Sequence, residues 1–346
     1  MIAVNLQFKS LHHIDIYSPD IRSVDIDIDV SDIDEYIDEL LDKVTNNNNR
    51  RLFEFQSETC EIKNALNKMI TQRKFTEVSE IIARRLHRKE IEAQEKYGHL
   101  TNIHKGSILQ FYIIDGESYT YIITKVDHNT FIDENDLLKH FGLPFEKRVL
   151  KAAIIKLNEN CEVKNIDIYD TNTTISNYWW SSFLELNEIN SNEHNTKTSF
   201  NLFDSILRKK LKKQYPSDYT YIRNSMISYY RTQESFVLDN FMDYILSDYQ
   251  PVDKELDINE LKQKFYQAPS NKNVDTQFTI EKEVITAKFK RIIQLHEKID
   301  LNLKEDISNI ENIINSYQNP AGEKFIQIKT DSGYEYFKRN INNTNE

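Results

Sequence analysis

Two runs of basic side chains have the spacing that phosphate binding needs. Arg84, Arg85, Arg88 and Lys89 repeat at i, i+4 intervals, and Arg208, Lys209, Lys210, Lys212 and Lys213 crowd a second segment. Residues four apart on a helix share a face, so each run predicts a positive band. Like charges so placed repel by about 0.2–0.5 kcal/mol per pair in an isolated helix, and such a band asks for acidic neighbours or an anionic partner. A solvated face answered by acids elsewhere is the plainer explanation; contact with a nucleic-acid backbone is the more specific one.

Other constellations fit chemistry less well. Asp25, Asp27 and Asp29 alternate with apolar residues, but Val30 and Tyr36 stand where a calcium loop of this kind needs Gly and a carboxylate. On a strand the three acids make one solvated face. Asp115, Glu117 and Lys125 offer the residue types of a metal-dependent nuclease, yet Asp115 is explained by a turn. His12, His13, His99 and His104 form no ligand set by spacing. Neither a catalytic set nor a cofactor motif emerges, and the expectation is a protein without catalysis, cofactor or metal.

The elements that would carry the basic runs are amphipathic helices. Over Phe75–Gly98 the stripe is Val78, Ile81, Ile82 and Leu86; over Phe200–Tyr215 it is Phe203, Ile206, Leu207 and Leu211, with Lys210 at its border. Tyr215, Tyr219, Tyr221, Tyr229 and Tyr230 follow, at spacing better suited to packing than to stacking on bases. Trp179 and Trp180 are adjacent and must point apart on a helix, one inward and one to a contact. Ahead of these lies a strong β signal: Ser107–Ile114 and Glu117–Val126 flank Asp115-Gly116, a dipeptide suited to a type I′ turn, and Val149–Leu157 pairs with Val163–Tyr169. Short strands return at Phe289–Leu295, Ile299–Leu303, Phe325–Lys329 and Tyr334–Lys338.

The fold class predicted is α+β, an antiparallel sheet with flanking helices, a helical middle and a small β-rich C-terminal part. The expected units are 1–175, 176–248 and 249–346. With 346 residues, 39% hydrophobic and 29% charged, the chain is long enough for real cores and too apolar for disorder. Six Gly leave little for phosphate loops, and two Cys exclude a cysteine-built zinc site. The start has no signal-peptide core and no apolar run spans a bilayer, so a cytoplasmic protein is expected. The net charge of −11 lowers the prior for nucleic acid, although binding reads local patches rather than the average.

Several segments, in order, resemble the bacterial nucleoid-associated family of the NdpA (YejK) type. They are the helix opening Phe75-Thr-Glu-Val-Ser-Glu-Ile-Ile-Ala-Arg-Arg-Leu, the hairpin from Lys105-Gly106 to Thr124-Lys125, and Tyr178-Trp179-Trp180-Ser181-Ser182-Phe183-Leu184. Asn195-Thr196-Lys197 and the closing run from Phe289 through Ile299–Leu303 to Phe325–Lys329 complete the series. Leu301-Asn302 replaces the family's Phe-Pro. The resemblance implies a cytoplasmic, nucleoid-located protein that binds DNA without known catalysis, and it adds Asn195, Thr196 and Lys197 as family positions. DNA, double- or single-stranded, and a second copy of the chain are the expected partners. Two rivals stay open: a protein-interaction subunit of an antiviral defence complex, and a metal-dependent nuclease.

Overall fold

A computed structural model describes residues 5–26, 31–98, 103–146, 150–160 and 162–338. The N-terminal half runs β1 (Leu6–Ile14), β2 (Arg22–Val24), α1 (Ser31–Thr45), β3 (Arg51–Phe55), α2 (Glu61–Gln72), α3 (Phe75–Tyr97), β4 (Gly106–Asp115) and β5 (Ser118–Asp127). A small hairpin, β6 (Asn129–Ile132) and β7 (Lys139–Gly142), precedes β8 (Leu150–Leu157) and β9 (Val163–Asp170); a π-helical turn at Tyr178–Phe183 leads into β10 (Leu186–Glu188). Eight of these strands form one sheet, ordered β10-β3-β9-β8-β5-β4-β1-β2, with antiparallel neighbours throughout.

Helices cover both faces of the sheet, which explains why its central strands read as near-continuous apolar runs. On one face Ile108, Tyr112, Tyr121 and Ile123 pack with Val78, Ile82 and Leu86 of α3 and with Trp179. On the other, Leu109, Phe111 and Ile122 pack with Tyr36, Ile37, Leu40 and Val44 of α1. The alternation is that of a pleated strand, whose successive side chains point to opposite faces. Gln110, the one amide in this stretch of β4, is buried but satisfied: it donates to Ser79 O at 2.8 Å and accepts from Tyr121 Oη at 2.9 Å.

The second half begins with α4 (Asn192–Lys210), α5 (Pro216–Thr232), β11 (Ser235–Val237), α6 (Leu238–Leu246), α7 (Ile258–Lys272) and β12 (Gln277–Thr279). Its core is aromatic. Phe203 stacks on Phe265 at 5.1 Å, and Phe236 on Phe278 at 4.9 Å. Tyr219, Tyr229 and Tyr230 are buried in this core, so packing claims them rather than base stacking. The chain then makes two hairpins, β13 (Arg291–His296) with β14 (Ile299–Leu303), and β15 (Ile314–Gln318) with β16 (Lys324–Ile328). Helix α8 (Ile310–Ile313) lies between them and α9 (Ser332–Phe337) follows.

The α+β class with a large antiparallel sheet is therefore present. Several local expectations are corrected. The β4–β5 loop is Gly116-Glu117, because Asp115 pairs with Ser118; Gly116 has φ +58° while Glu117 does not enter the left-handed region, so a type I′ turn does not form. The second basic helix starts at Asn192, with Ser191 Oγ accepting His194 N–H at 3.1 Å, and ends at Lys210 rather than Tyr215. Tyr334–Lys338, expected as a strand, lies largely in α9. Ile81, assigned to the stripe of α3, is 47% exposed. Asp27, Asp29, His99 and Cys161 lie outside the described residues.

The sheet and the helical half are joined by a segment distant in sequence from the sheet. Thr276 N–H donates to Arg50 O, and Arg50 N–H returns a bond to Thr276 Oγ1, both at 2.9 Å. Gln277 Nε2 donates to Asp170 O at 2.8 Å and to Asn172 O at 2.6 Å. Residues 275–277 thereby fasten to β3 and to the end of β9.

Candidate nucleic-acid interface

The two basic runs meet different fates. Arg85 points inward from α3: its Nε donates to Phe183 O at 2.9 Å and its Nη2 to Ser182 O at 3.1 Å. Glu61 and Glu185 also hold its guanidinium, the latter at 3.3 Å. Arg85 thus caps the carbonyl end of the π-helical turn, where a cation is favoured. Arg84 is exposed and bound to Asp20 and Glu80, Arg88 lies 3.4 Å from Glu61, and Lys89 lies 2.7 Å from Glu92. Every cation of the first run has a carboxylate partner.

The second run is more open. Arg208 pairs with Asp204 at 2.8 Å, and Lys210 approaches Glu260 of α7 at 3.8 Å. Asp204 is simultaneously held by the buried Arg223 at 2.7 Å. Lys209, Lys212 and Lys213 are exposed and, among the described residues, are in no ion pair. Lys212 and Lys213 sit in the turn between α4 and α5, shortly before α5 begins at Pro216. The end of one helix and the start of the next therefore bring three unneutralised ammonium groups to one corner.

Asn195, Thr196 and Lys197 acquire distinct roles. Asn195 is buried and its Nδ2 donates to Asp275 Oδ2 at 2.8 Å; Asp275 Oδ1 accepts Leu52 N–H at 2.9 Å. Thr196 Oγ1 accepts Glu281 N–H at 3.0 Å and donates to Asn192 O at 2.8 Å. These two residues tie α4 to the 275–281 segment and, through Asp275, to β3. Lys197 is on the surface, 2.5 Å from Glu193. Only the Asn and Thr are structural ties.

Three polar clusters escaped sequence reasoning. Ser107 Oγ lies 2.7 Å from both His13 Nδ1 and His128 Nε2. Burial lowers both imidazoles to a pKa of about 4, helped at His13 by His128 and at both by the cations Lys105 and Arg22. Lys125 is buried with its Nζ 2.7 Å from Glu90, 3.2 Å from Asp127 and 3.0 Å from His104 O, and Tyr178 donates to the same Glu90. Burial alone would pull Lys125 down, but the two carboxylates outweigh it and its pKa is raised. A cavity of about 170 Å³ between β3, β9 and α7 is lined by Arg50, Lys156, Asp167, Tyr266, Ser270 and Asp275, among others. Desolvation raises the carboxyls of Asp167 and Asp275.

These clusters do not assemble the nuclease triad considered from the sequence. Asp115 and Glu117 stand at the tip of the β4–β5 hairpin, whereas Lys125 is near its far end, buried against α3. Among the described residues, no group of three His, Cys, Asp or Glu side chains is placed to hold a metal ion. No helix among them is long and apolar enough to cross a membrane.

A family model described as nucleoid-associated protein YejK matches residues 10–330 of the 346. The chain belongs to this family. The match takes in the sheet from Ser10 of β1 onward, both basic runs, the Asn195–Asp275 tie and the two C-terminal hairpins of this nucleoid-associated protein. Among curated proteins, no sequence matches it.

Proposed function

We propose that this nucleoid-associated family member binds DNA in the cytoplasm without catalysis, through phosphate contacts centred on Lys209, Lys212 and Lys213. The observation that carries the proposal is the lack of ion pairing at these three lysines in a chain of net charge −11, while Arg84, Arg85, Arg88 and Lys89 of α3 all have carboxylate partners. In an acidic protein, unneutralised cations grouped on one corner are where a polyanion gains most by releasing counterions. Arg208, Lys210 and Lys197 flank the corner or lie further along α4 and contribute by exchanging acidic partners for phosphate. Arg84, Arg88 and Lys89 form a secondary surface; Arg85 is committed to the fold. No base-reading motif accompanies the corner, so binding is largely independent of sequence.

The test is a gel-shift or anisotropy titration of duplex and single-stranded DNA with the intact protein and with the Lys209→Glu, Lys212→Glu, Lys213→Glu triple variant. Loss of binding with unchanged circular dichroism is the expected result. Undiminished binding by the variant refutes the assignment.

A second reading, a protein-interaction subunit, is favoured by the β6–β7 hairpin. Phe131, Ile132, Leu137, Leu138 and Phe141 are all exposed there, an apolar concentration typical of a docking surface. Absence of binding to either form of DNA at low salt would shift the conclusion to this reading.

A further inference from the structure

The C-terminal hairpins expose far more apolar surface than a free-standing arm tolerates. The arm is anchored at its base: Asn224 exchanges two 2.9 Å hydrogen bonds with the backbone of Ile307, Arg231 lies 3.0 Å from Glu305, and Arg291 stacks 4.7 Å over Tyr219. Beyond that base, β15 and β16 form a two-stranded sheet with no third strand among the described residues. Isolated two-stranded hairpins are marginal in water. Phe325, Ile326 and Ile328 on β16 are 45%, 48% and 44% exposed, and Tyr317, Tyr336 and Phe337 are also open. At roughly 200 Å² per large side chain, the exposed apolar residues of the whole arm offer about 1,000 Å², about 400 Å² of it from Tyr317, Phe325, Ile326 and Ile328 on the β15–β16 hairpin.

We propose that β16 is a self-association edge, and that its occupant is β16 of a second copy of this chain, related by a two-fold axis at Ile326. The hydrogen bonds of the hairpin select the register. Lys329 N–H donates to Ile313 O at 2.8 Å and Asn319 N–H to Glu323 O at 3.0 Å, so residues 323, 325, 327 and 329 turn their backbone groups towards β15. In an antiparallel ladder the alternate residues, Lys324, Ile326 and Ile328, then direct theirs outward. Full use of these groups sets Ile326 against the partner's Ile326 and Lys324 against the partner's Ile328. The same register brings Glu323 opposite the partner's Lys329 at both ends, in non-hydrogen-bonded pairs where side chains approach closely. The result is a closed, isologous four-stranded sheet that removes a sticky edge.

Glu323, Ile326 and Lys329 are not part of the lysine corner, so the inference stands whether or not DNA binds there. Molecular mass is measured by light scattering and sedimentation across a dilution series of the full chain. The wild type is expected to dimerise. Ile326→Pro removes an outward N–H without touching the bonds to β15, and should weaken the dimer on the order of tenfold or more. Lys329→Glu, which sets Glu against Glu at both ends, should weaken it on the order of tenfold, and Glu323→Lys with Lys329→Glu should restore it to within about threefold. Should the proline variant fail to fold, the charge series carries the test alone. A monomeric wild type, equal dimerisation of every variant, or a double charge variant no tighter than Lys329→Glu overturns the proposal.

Discussion

Asn195 of α4 donates its Nδ2 to the buried carboxylate of Asp275 at 2.8 Å, across a separation of 80 residues. Asp275 in turn receives Leu52 N–H of β3, and Asn190 Nδ2 adds a longer bond of 3.4 Å to the same oxygen as Asn195, so the Asn195 amide is the nearer of two that orient the acid bridging the sheet to the helical half. Asn195→Ala removes a hydrogen bond to a charged, buried acceptor, and the expected loss is about 2 kcal/mol of stability. Urea unfolding followed by tryptophan fluorescence measures it. A change near zero would mean that Asp275 finds its partners without the amide.

Arg85 and Arg84 are neighbours with opposite expectations. Arg85→Ala leaves Glu61, Glu185 and two carbonyls of the π-helical turn without their cation, and should cost about 3 kcal/mol. Arg84→Ala removes exposed pairs only and should leave the urea midpoint unchanged. Equal midpoints for the two variants would contradict the buried role of Arg85.

The lysine corner has a quantitative signature. For duplex DNA the slope of log K against log salt is about −0.9 per phosphate contacted. Neutralising Lys209, Lys212 and Lys213 to Gln should flatten the slope by roughly 2–3, and Arg85→Ala, where it still folds, should leave it unaltered. Anisotropy titrations at several salt concentrations read both numbers.

His13 and His128 make stability depend on pH in the mildly acid range. Their folded pKa, about 4, lies below the ordinary 6.5, so the unfolded chain binds more protons between these values. Stability from this pair is complete above pH 6.5 and is lost as pH falls towards 4. Allowing for their partial exposure, the loss is about 2 kcal/mol for the two together. The difference in unfolding free energy between pH 7 and pH 4.5 should therefore be smaller in His13→Gln, His128→Gln than in the wild type.

Local chemistry announced some of this structure and not the rest. The β4–β5 hairpin and α3 were legible because Ile, Tyr and Phe runs and a 3.6-residue period are written within each segment. Strand β15, Ile314–Gln318, was not, since Asn315, Ser316 and Gln318 give it no apolar alternation. The basic run of α3 was visible, but the burial of Arg85 was not, because the acids that answer it, Glu61 and Glu185, lie on other elements. The same distance hid the partners of Asn195 and the meeting of His13 with His128 across Ser107. Spacing reports which face a cation shares with its helical neighbours; it is silent about what folds onto that face.

The fastening of Thr276 and Gln277 onto β3 and β9 bears on how the chain is made. Strand β9 ends at Asp170, so its closing partners leave the ribosome about 100 residues later, on the order of 5–20 s at ordinary elongation rates. During that interval the nascent sheet carries Leu52 N–H and Asp170 O without their final partners. A slow codon tract or an early stop before residue 277 would prolong that vulnerable period, and chaperone dependence should rise in proportion.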